Sequence, residues 1–280
     1  MLAAERREKV LRLLEEGGSV FVSKLAALFG VSEVTIRQDL RALEKRGLLD
    51  RIYGGAVPKY RAGYESTVSE RRMVAPAEKR HIAALAARLV EDGEVVALTD
   101  GTTTLEIAYH LRRRDVTIVT NSWDVVAKLG QDASMKIISL GGMLRQVTMS
   151  FTGPLTLSGL QQLRFDRLFL SVDGASVNFG FSTPHMMECE VYRSMVESAK
   201  QTIALVDHTK IGKEYMYRIA TLEEVDAIIV DAKCPKVAVE EFEDWGIEVR
   251  VAAGDEDGGG APQETSQVER SEWPGHGMER

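Results

Sequence analysis

The stretch SEVTIRQDLRALEKRG, residues 32–47, decides how the first part of the chain is read. Serine is a residue type that caps helix starts, and glycine one that closes helix ends, so Ser32 and Gly47 bound a helix. Val34, Ile36, Leu40 and Leu43 are expected to point inward. Ser32, Glu33, Thr35, Arg37, Gln38 and Arg41 then form the outer face. Arginine matches guanine edges and phosphates, and glutamine matches adenine. Just upstream, residues 22–29 read as a short helix carrying Leu25, Ala26 and Leu28 and closed by Gly30. Two short helices around a small-residue turn are the layout that sets the second helix into a major groove. Residues 2–15 form a first helix with Val10, Leu11, Leu13 and Leu14 on an apolar stripe, stopped by Gly17-Gly18. Residues 48–55 alternate and then turn, as a β-hairpin does. Arg51 and Tyr53 on that hairpin are placed to touch a DNA backbone or minor groove as a wing. Residues 1–57 are therefore expected to be a winged helix-turn-helix. A plain three-helix bundle with a solvated charged face has the same pattern, and periodicity alone leaves both open.

Charge is segregated along the chain. The net charge is −7 over 280 residues, which by itself argues against DNA. Residues 35–61, however, hold seven basic side chains against three acidic ones. A local basic patch of this kind is what phosphate contacts require. The end of the chain, residues 252–280, holds seven acids and two arginines among Gly, Pro and Ser, and is expected to be a disordered tail. Cys189 and Cys234 are the only cysteines and lack zinc-ligand spacing, so neither a disulfide framework nor a metal site is expected. No apolar run approaches the ~20 residues that span a bilayer. The charged first dozen residues do not read as a signal peptide. A cytoplasmic protein with no membrane partner is the expectation.

Residues 58–76 are polar and read as a linker, and from residue 77 the pattern changes. A helix over 77–90 precedes strand candidates at 95–98, 116–120, 136–140, 167–172, 202–206 and 227–230. Helices are expected between them at 103–111, 123–129 and 188–199. Strands alternating with helices imply a Rossmann-like, doubly wound α/β domain over residues 77–251. Open α/β sheets bind ligands at the carboxyl ends of their strands. There the chain reads Thr99-Asp100-Gly101-Thr102-Thr103-Thr104, a turn that aims backbone N–H groups and a positive helix end at one point, as a phosphate requires. Thr120-Asn121-Ser122 repeats this strand-end chemistry, and Arg145 follows the next strand as a cation for an anionic ligand. Thr, Asn and Ser are also ordinary helix caps, and that reading stays open beside the ligand reading. His208 is read as an ordinary loop histidine.

Arg6, Val10 and Leu14, followed by Ser32, Thr35, Ile36, Arg37, Gln38, Asp39 and Leu40, resemble the signature of the DeoR family of bacterial regulators. The resemblance runs on through Glu44–Gly55, then Glu65, Arg71 or Arg72, Glu78 and Lys79, to about Val249. It implies a transcription repressor of carbohydrate-metabolism genes with a double-stranded operator as partner. It also implies a C-terminal domain similar to ribose-phosphate isomerases that senses a small effector, usually a phosphorylated sugar, with no cofactor. Asp173, Glu188 and Lys210 take a ligand or site-framing role from the same resemblance. Because one recognition helix reads only a few base pairs, a homo-dimer or tetramer is expected.

Three positions depart from the family pattern. Asp50 stands where relatives often carry a basic residue. Thr99-Asp100 reverses the usual order of an acid and a small residue. Tyr192 replaces a frequent lysine. The competing expectation is an isomerase-like enzyme with an added DNA module. Related isomerases carry a second aspartate three residues before the position of Asp173, where this chain has Leu170. They also carry a lysine before the following glutamate, and none lies between Asp173 and Glu188. Sensing is therefore expected rather than catalysis.

Overall fold

The computed structural model describes residues 2–17, 20–46, 48–52, 54–58 and 67–254. Tyr53, Glu65 and the tail from residue 255 onward, for which the sequence carries expectations, lie outside the described residues.

The first unit runs α1 (Ala3–Gly17), β1 (Val20–Phe21), α2 (Val22–Phe29), α3 (Glu33–Lys45), β2 (Leu49–Ile52) and β3 (Gly55–Pro58). The turn between α2 and α3 depends on Gly30, which takes the left-handed conformation (φ 64°) and returns its N–H to the Ala26 carbonyl. Ser32 caps α3, its Oγ accepting from the Thr35 N–H at 3.2 Å. Val10, Leu14, Leu25, Ile36, Leu40 and Leu43 form one buried core. Val34 does not join them and is 61% exposed. Two residues separate it from Ile36, about 200° around a helix, so both cannot face the same way. Inside, Asp39 is almost wholly buried, with Arg6 Nε donating to its Oδ2 and Arg7 Nε to its Oδ1 at 2.7 Å. The family-like Arg6 and Asp39 thus clamp α1 to α3. Strands β1, β3 and β2 add a small antiparallel sheet.

The expected polar linker carries structure of its own. Residues Val68–Met73 form a short helix, α4, started by a reciprocal cap between Thr67 and Glu70. Its polar composition hid it in the sequence. Ala75 follows in the left-handed conformation (φ 47°), and Pro76 opens α5 (Pro76–Arg88).

The remaining elements are β4 (Val95–Leu98), α6 (Thr102–His110), β5 (Thr117–Thr120), α7 (Trp123–Leu129), β6 (Lys136–Ser139), β7 (Met143–Arg145), β8 (Ser150–Thr152), α8 (Pro154–Leu160) and β9 (Phe165–Ser171). Then come β10 (Gly174–Ser176), β11 (Gly180–Thr183), α9 (Met186–Ser198), β12 (Ala199–Val206), β13 (Tyr217–Ala220), β14 (Ala227–Asp231), α10 (Lys236–Trp245) and β15 (Glu248–Ala252). Among the described residues, seven parallel strands form one sheet in the order β15-β14-β12-β9-β4-β5-β6. Alternate strand residues serve opposite faces. Val96, Leu98, Ile118, Phe169 and Ile203 pack with α5, α6 and α7. Ala97, Val119, Leu168, Leu170 and Ala204 pack with α8, α9 and α10. The antiparallel β10-β11-β13 sheet and the β7-β8 ribbon are additions that the strand pattern did not reveal. From β4 the chain first builds outward through β5 and β6, then returns to place β9 on the other side of β4. This reversal opens a crevice at the carboxyl ends of β4 and β9.

Asp39→Ala removes the partner of a buried arginine, and breaking such a pair from one side costs roughly 3–5 kcal/mol. We expect the N-terminal unit to unfold at markedly lower urea, with operator binding lost in parallel. A variant with unchanged midpoint would show that the clamp carries no stability.

Candidate functional site

The crevice holds a pocket lined by Arg71, Lys79, Gly101, Thr102, Thr103, Ser171, Asp173, Asp207 and Lys210. Gly101 caps α6 with φ 146°, and a Cβ there would sit 2.7 Å from Ser171 Oγ, so only glycine fits beside β9. The first turn of α6 therefore opens directly onto the pocket. Asp173 Oδ1 lies 3.2 Å from Arg71 Nη2 and 3.6 Å from Lys210 Nζ, while its Oδ2 accepts from Thr183 Oγ1 at 3.0 Å. Burial alone would raise the Asp173 pKa, but Arg71, Lys210 and Thr183 outweigh it and hold the carboxyl below the usual range. Lys79 Nζ donates to the Arg71 carbonyl at 2.5 Å and stands 4.0 Å from Asp207 Oδ2. Burial pushes the Lys79 ammonium down to about 8, against the pull of Asp207.

Arg71 is the most constrained cation of the set. It reaches the pocket from α4, in the region joining the two units. Burial disfavours its charge, yet Asp173, Glu188, Tyr192 and Asp100 together raise its pKa and keep it ionised. Its Nη2 faces Asp173 only as an ion pair, without a well-aligned hydrogen bond, and its Nε is buried with no hydrogen-bond partner. Such unpaired donors are costly, and they are satisfied when an acceptor enters.

Beside the pocket lies a second, fully buried network. Asp100 Oδ1 accepts from Tyr192 Oη at 2.6 Å and from Asn121 Nδ2 at 2.9 Å, while Asn121 Oδ1 accepts from the Asp100 N–H at 2.9 Å. Glu188 Oε1 accepts from Arg145 Nη1 at 2.6 Å, from Ser150 Oγ at 3.0 Å and from Thr148 Oγ1. Asp100 Oδ2 and Glu188 Oε2 have no hydrogen-bond partner. Burial, reinforced by the Glu188 charge, pushes Asp100 up to about 7. Burial and the two acids raise Tyr192 well above its ordinary value, so it remains a donor.

The sequence-predicted ligand residues thus divide. Gly101, Thr102, Thr103, Asp173 and Lys210 line the pocket. Asp100, Asn121, Arg145 and Glu188 belong to the buried network. Thr104 turns its hydroxyl back to donate to the Gly101 carbonyl at 3.0 Å, within the first turn of α6. The displaced acid at Asp100 and the unusual Tyr192 are one feature, because the two side chains bond to each other. Arg71, Lys79 and Tyr192 were visible only as family-pattern positions, since helices distant in sequence bring them here. His208 bonds Asp231 through Nδ1 at 3.0 Å, away from the pocket lining.

On the N-terminal unit, Arg37, Gln38 and Arg41 are exposed along α3, with Ser32 and Thr35 at its start. Arg37 pairs with Glu33 at 2.6 Å and Arg51 with Glu44 at 2.7 Å. The Arg51 hydrogen bond holds the Glu44 carboxyl below its usual range. Exposed pairs of this kind are weak and screened, so both arginines are free to exchange carboxylate for phosphate. Tyr53 lies outside the described residues.

A winged helix-turn-helix joined to a sensor domain defines a DNA-binding transcription regulator. The family model for the DeoR-like helix-turn-helix domain matches residues 6–59, and that for the DeoR C terminal sensor domain matches residues 74–232. A protein of Escherichia coli O157:H7 described as an aga operon transcriptional repressor is 37% identical, over 88% of this chain and 93% of its own length. The regulator GlpR of Haloferax volcanii is 36% identical over 89% of this chain and 98% of its own. The lactose phosphotransferase system repressor of Staphylococcus aureus (strain N315) is 32% identical over 81% and 91%. A ribose 5-phosphate isomerase A from Methanocaldococcus jannaschii aligns over 49% of this chain and 54% of its own, with 17% identity and a TM-score of 0.36. The chain belongs to the DeoR family. Among the described residues no helix is long and apolar enough to cross a membrane.

A carboxyl raised from 3.8 to about 7 in the folded chain takes up a proton on folding. Its contribution is favourable at low pH and is lost as pH climbs from about 4 through 7, because the native state binds more protons there. Asp100→Asn keeps the acceptor for Tyr192 and Asn121 and abolishes this titration. Melting temperatures followed across that window should fall more steeply for the wild type than for the variant. Parallel curves would place the Asp100 pKa near its ordinary value.

Proposed function

We propose that the chain represses carbohydrate-metabolism genes and leaves its operator when a small, phosphorylated sugar or polyol enters the β4–β9 crevice. The observation that carries this reading is Arg71: a buried guanidinium, ion-paired to Asp173 and with its Nε unsatisfied, lining the pocket from α4, between sensor and DNA-binding unit. The Arg71, Lys79 and Lys210 charges, the N–H groups at the start of α6 and the Thr102 hydroxyl together suit a phosphoryl group. Hydroxyls on the rest of the ligand have Asp173 and Ser171 as acceptors. The relatives that regulate aga and lactose genes support carbohydrate metabolism as the regulated field. An anion that draws Arg71 from Asp173 repositions α4, and with it the DNA-reading unit. To release DNA the effector must bind the free form more tightly than the operator complex; a coupling of about 1–3 kcal/mol is typical. Leu170, standing where related isomerases carry an acid, is buried in the core of the sheet, which favours sensing over catalysis.

On the DNA side, Ser32, Thr35, Arg37, Gln38, Arg41 and Arg51 make the operator contacts, in a dimer or tetramer whose α3 helices read paired half-sites. Arg37→Ala should weaken operator binding by roughly 1–3 kcal/mol, and Gln38→Ala should shift sequence preference more than affinity. Binding should fall steeply with salt through counterion release. Fluorescence anisotropy on an operator duplex reads all three, and an Arg37→Ala protein that binds at full strength would remove α3 from the interface.

For the sensor, Lys210→Ala and Thr102→Val should bind operator normally yet fail to release it when sugar phosphates are added. Arg71→Lys keeps the charge but not the planar fork. It should bind the effector within about tenfold of wild type, roughly 1.4 kcal/mol, while release is lost. Analysis of the ligand after titration separates the alternatives. Release with the ligand unchanged fits a sensor, whereas turnover with operator occupancy unaffected would make the protein an enzyme.

A further inference from the structure

From Ile137 to Leu163 the chain carries a single charged residue, Arg145, although 28% of all residues are charged. Arg145 is turned inward onto Glu188. This segment builds the β7–β8 ribbon and the start of α8, and it leaves apolar side chains in water. Leu144 lies opposite Phe151 across the ribbon, and Trp123 meets the Phe151 ring edge-on, centroids 6.2 Å apart. On the ribbon's other face, Met143 and Met187 both approach Gly153, which leads into α8 and Leu155. Trp123, Met143, Leu144, Val147, Leu155 and Met186 are 38–77% exposed. Interface cores are depleted of charge and enriched in Met and aromatic residues, as these exposed positions on the two faces of the ribbon are.

We propose that this ribbon, with Trp123, Leu155 and Met186, is the surface on which two copies of the chain associate about a two-fold axis. The proposal rests on the paired half-site reading given above. The occupant follows from charge. An uncharged apolar patch is complemented by another uncharged apolar patch, and a second copy presents the same one in self-complementary register. Beyond the internally paired Arg145, the exposed cation at the patch's edge, Arg72, is matched by Asp124 beside Trp123, so nucleic acid or an acidic partner finds no net positive charge here. The ribbon also connects both other sites. The Val68 N–H at the start of α4 donates to the Val147 carbonyl at 3.0 Å, and Arg145 ties β7 to Glu188 in the buried network. A dimer axis here fixes the spacing between two α3 helices through α4 and lies within one ion pair of the sensor interior.

Sedimentation equilibrium on the full chain tests this directly. Wild type and Val237→Glu, an exposed apolar site on α10, should associate equally. Leu144→Glu and Leu155→Glu place charges in the patch and should raise the dissociation constant roughly 100-fold, with operator affinity falling alongside. Both positions are solvent-exposed in a single chain, so circular dichroism should stay unchanged and melting should fall only to the value that dilute wild type shows. Trp123 gives a second readout in the native fold. With Trp245 and Trp273 replaced by phenylalanine, its emission should shift to the blue as concentration drives association. Patch variants that assemble as tightly as wild type, or Trp123 emission that ignores association, would overturn the interface while leaving the pairing intact. A wild-type chain that stays monomeric with and without operator would overturn both.

Discussion

A parallel sheet built outward from its first strand in two directions must leave one seam uncovered. Here the seam lies between β4 and β9, where crossover helices depart to opposite faces. The turn after β4 and the loop after β9 both end there, and no helix caps the space between them. Arg71, Lys79, Asp173, Asp207 and Lys210 are arranged around that gap. Its floor is backbone at the start of α6, admissible only because residue 101 has no side chain. Its walls come from strand ends and from α4 and α5.

Filling a seam with ionisable groups is costly unless each has a partner. Asp173, Asp207, Asp100 and Glu188 are balanced against Arg71, Lys79, Lys210 and Arg145, but the balance is uneven. Asp173 and Asp207 face cations and stay ionised, whereas Asp100 has only neutral donors on one oxygen and none on the other. The exchange of lysine for Tyr192 removes a charge from a place where this chain has moved an acid. The two departures from the family pattern therefore compensate each other as a hydrogen-bonded pair.

Much of the architecture was legible because single periodicities ran undisturbed. Residues 22–29, 95–98 and 123–129 fold within the bounds the sequence predicts, the two helices through one apolar face and β4 through an uninterrupted apolar run. The short elements were not legible. Polar α4 announces itself only through the Thr67–Glu70 cap. The β7-β8 ribbon and β10 and β11 have too few residues for alternation to register, and β10 and β11 contain glycines as well. Val34 is apolar yet faces water, because helical phase and not residue type decides its face. In the site, strand-end residues were legible because topology sends them to one edge. Arg71, Lys79 and Tyr192 were not, because long side chains from α4, α5 and α9 reach the seam only once the helices have packed.

The joint between α4 and α5 gives the linker a mechanical character. An alanine with positive φ costs roughly 1–2 kcal/mol relative to ordinary backbone, and a proline immediately after it narrows its choices further. A glycine at position 75 would absorb displacement as slack. Ala75, followed by Pro76 and braced by the Lys79 N–H on its own carbonyl, allows few alternative angles. The short helix before it is thereby held at both ends, at Ala75 by this joint and at Val68 by the Val147 carbonyl.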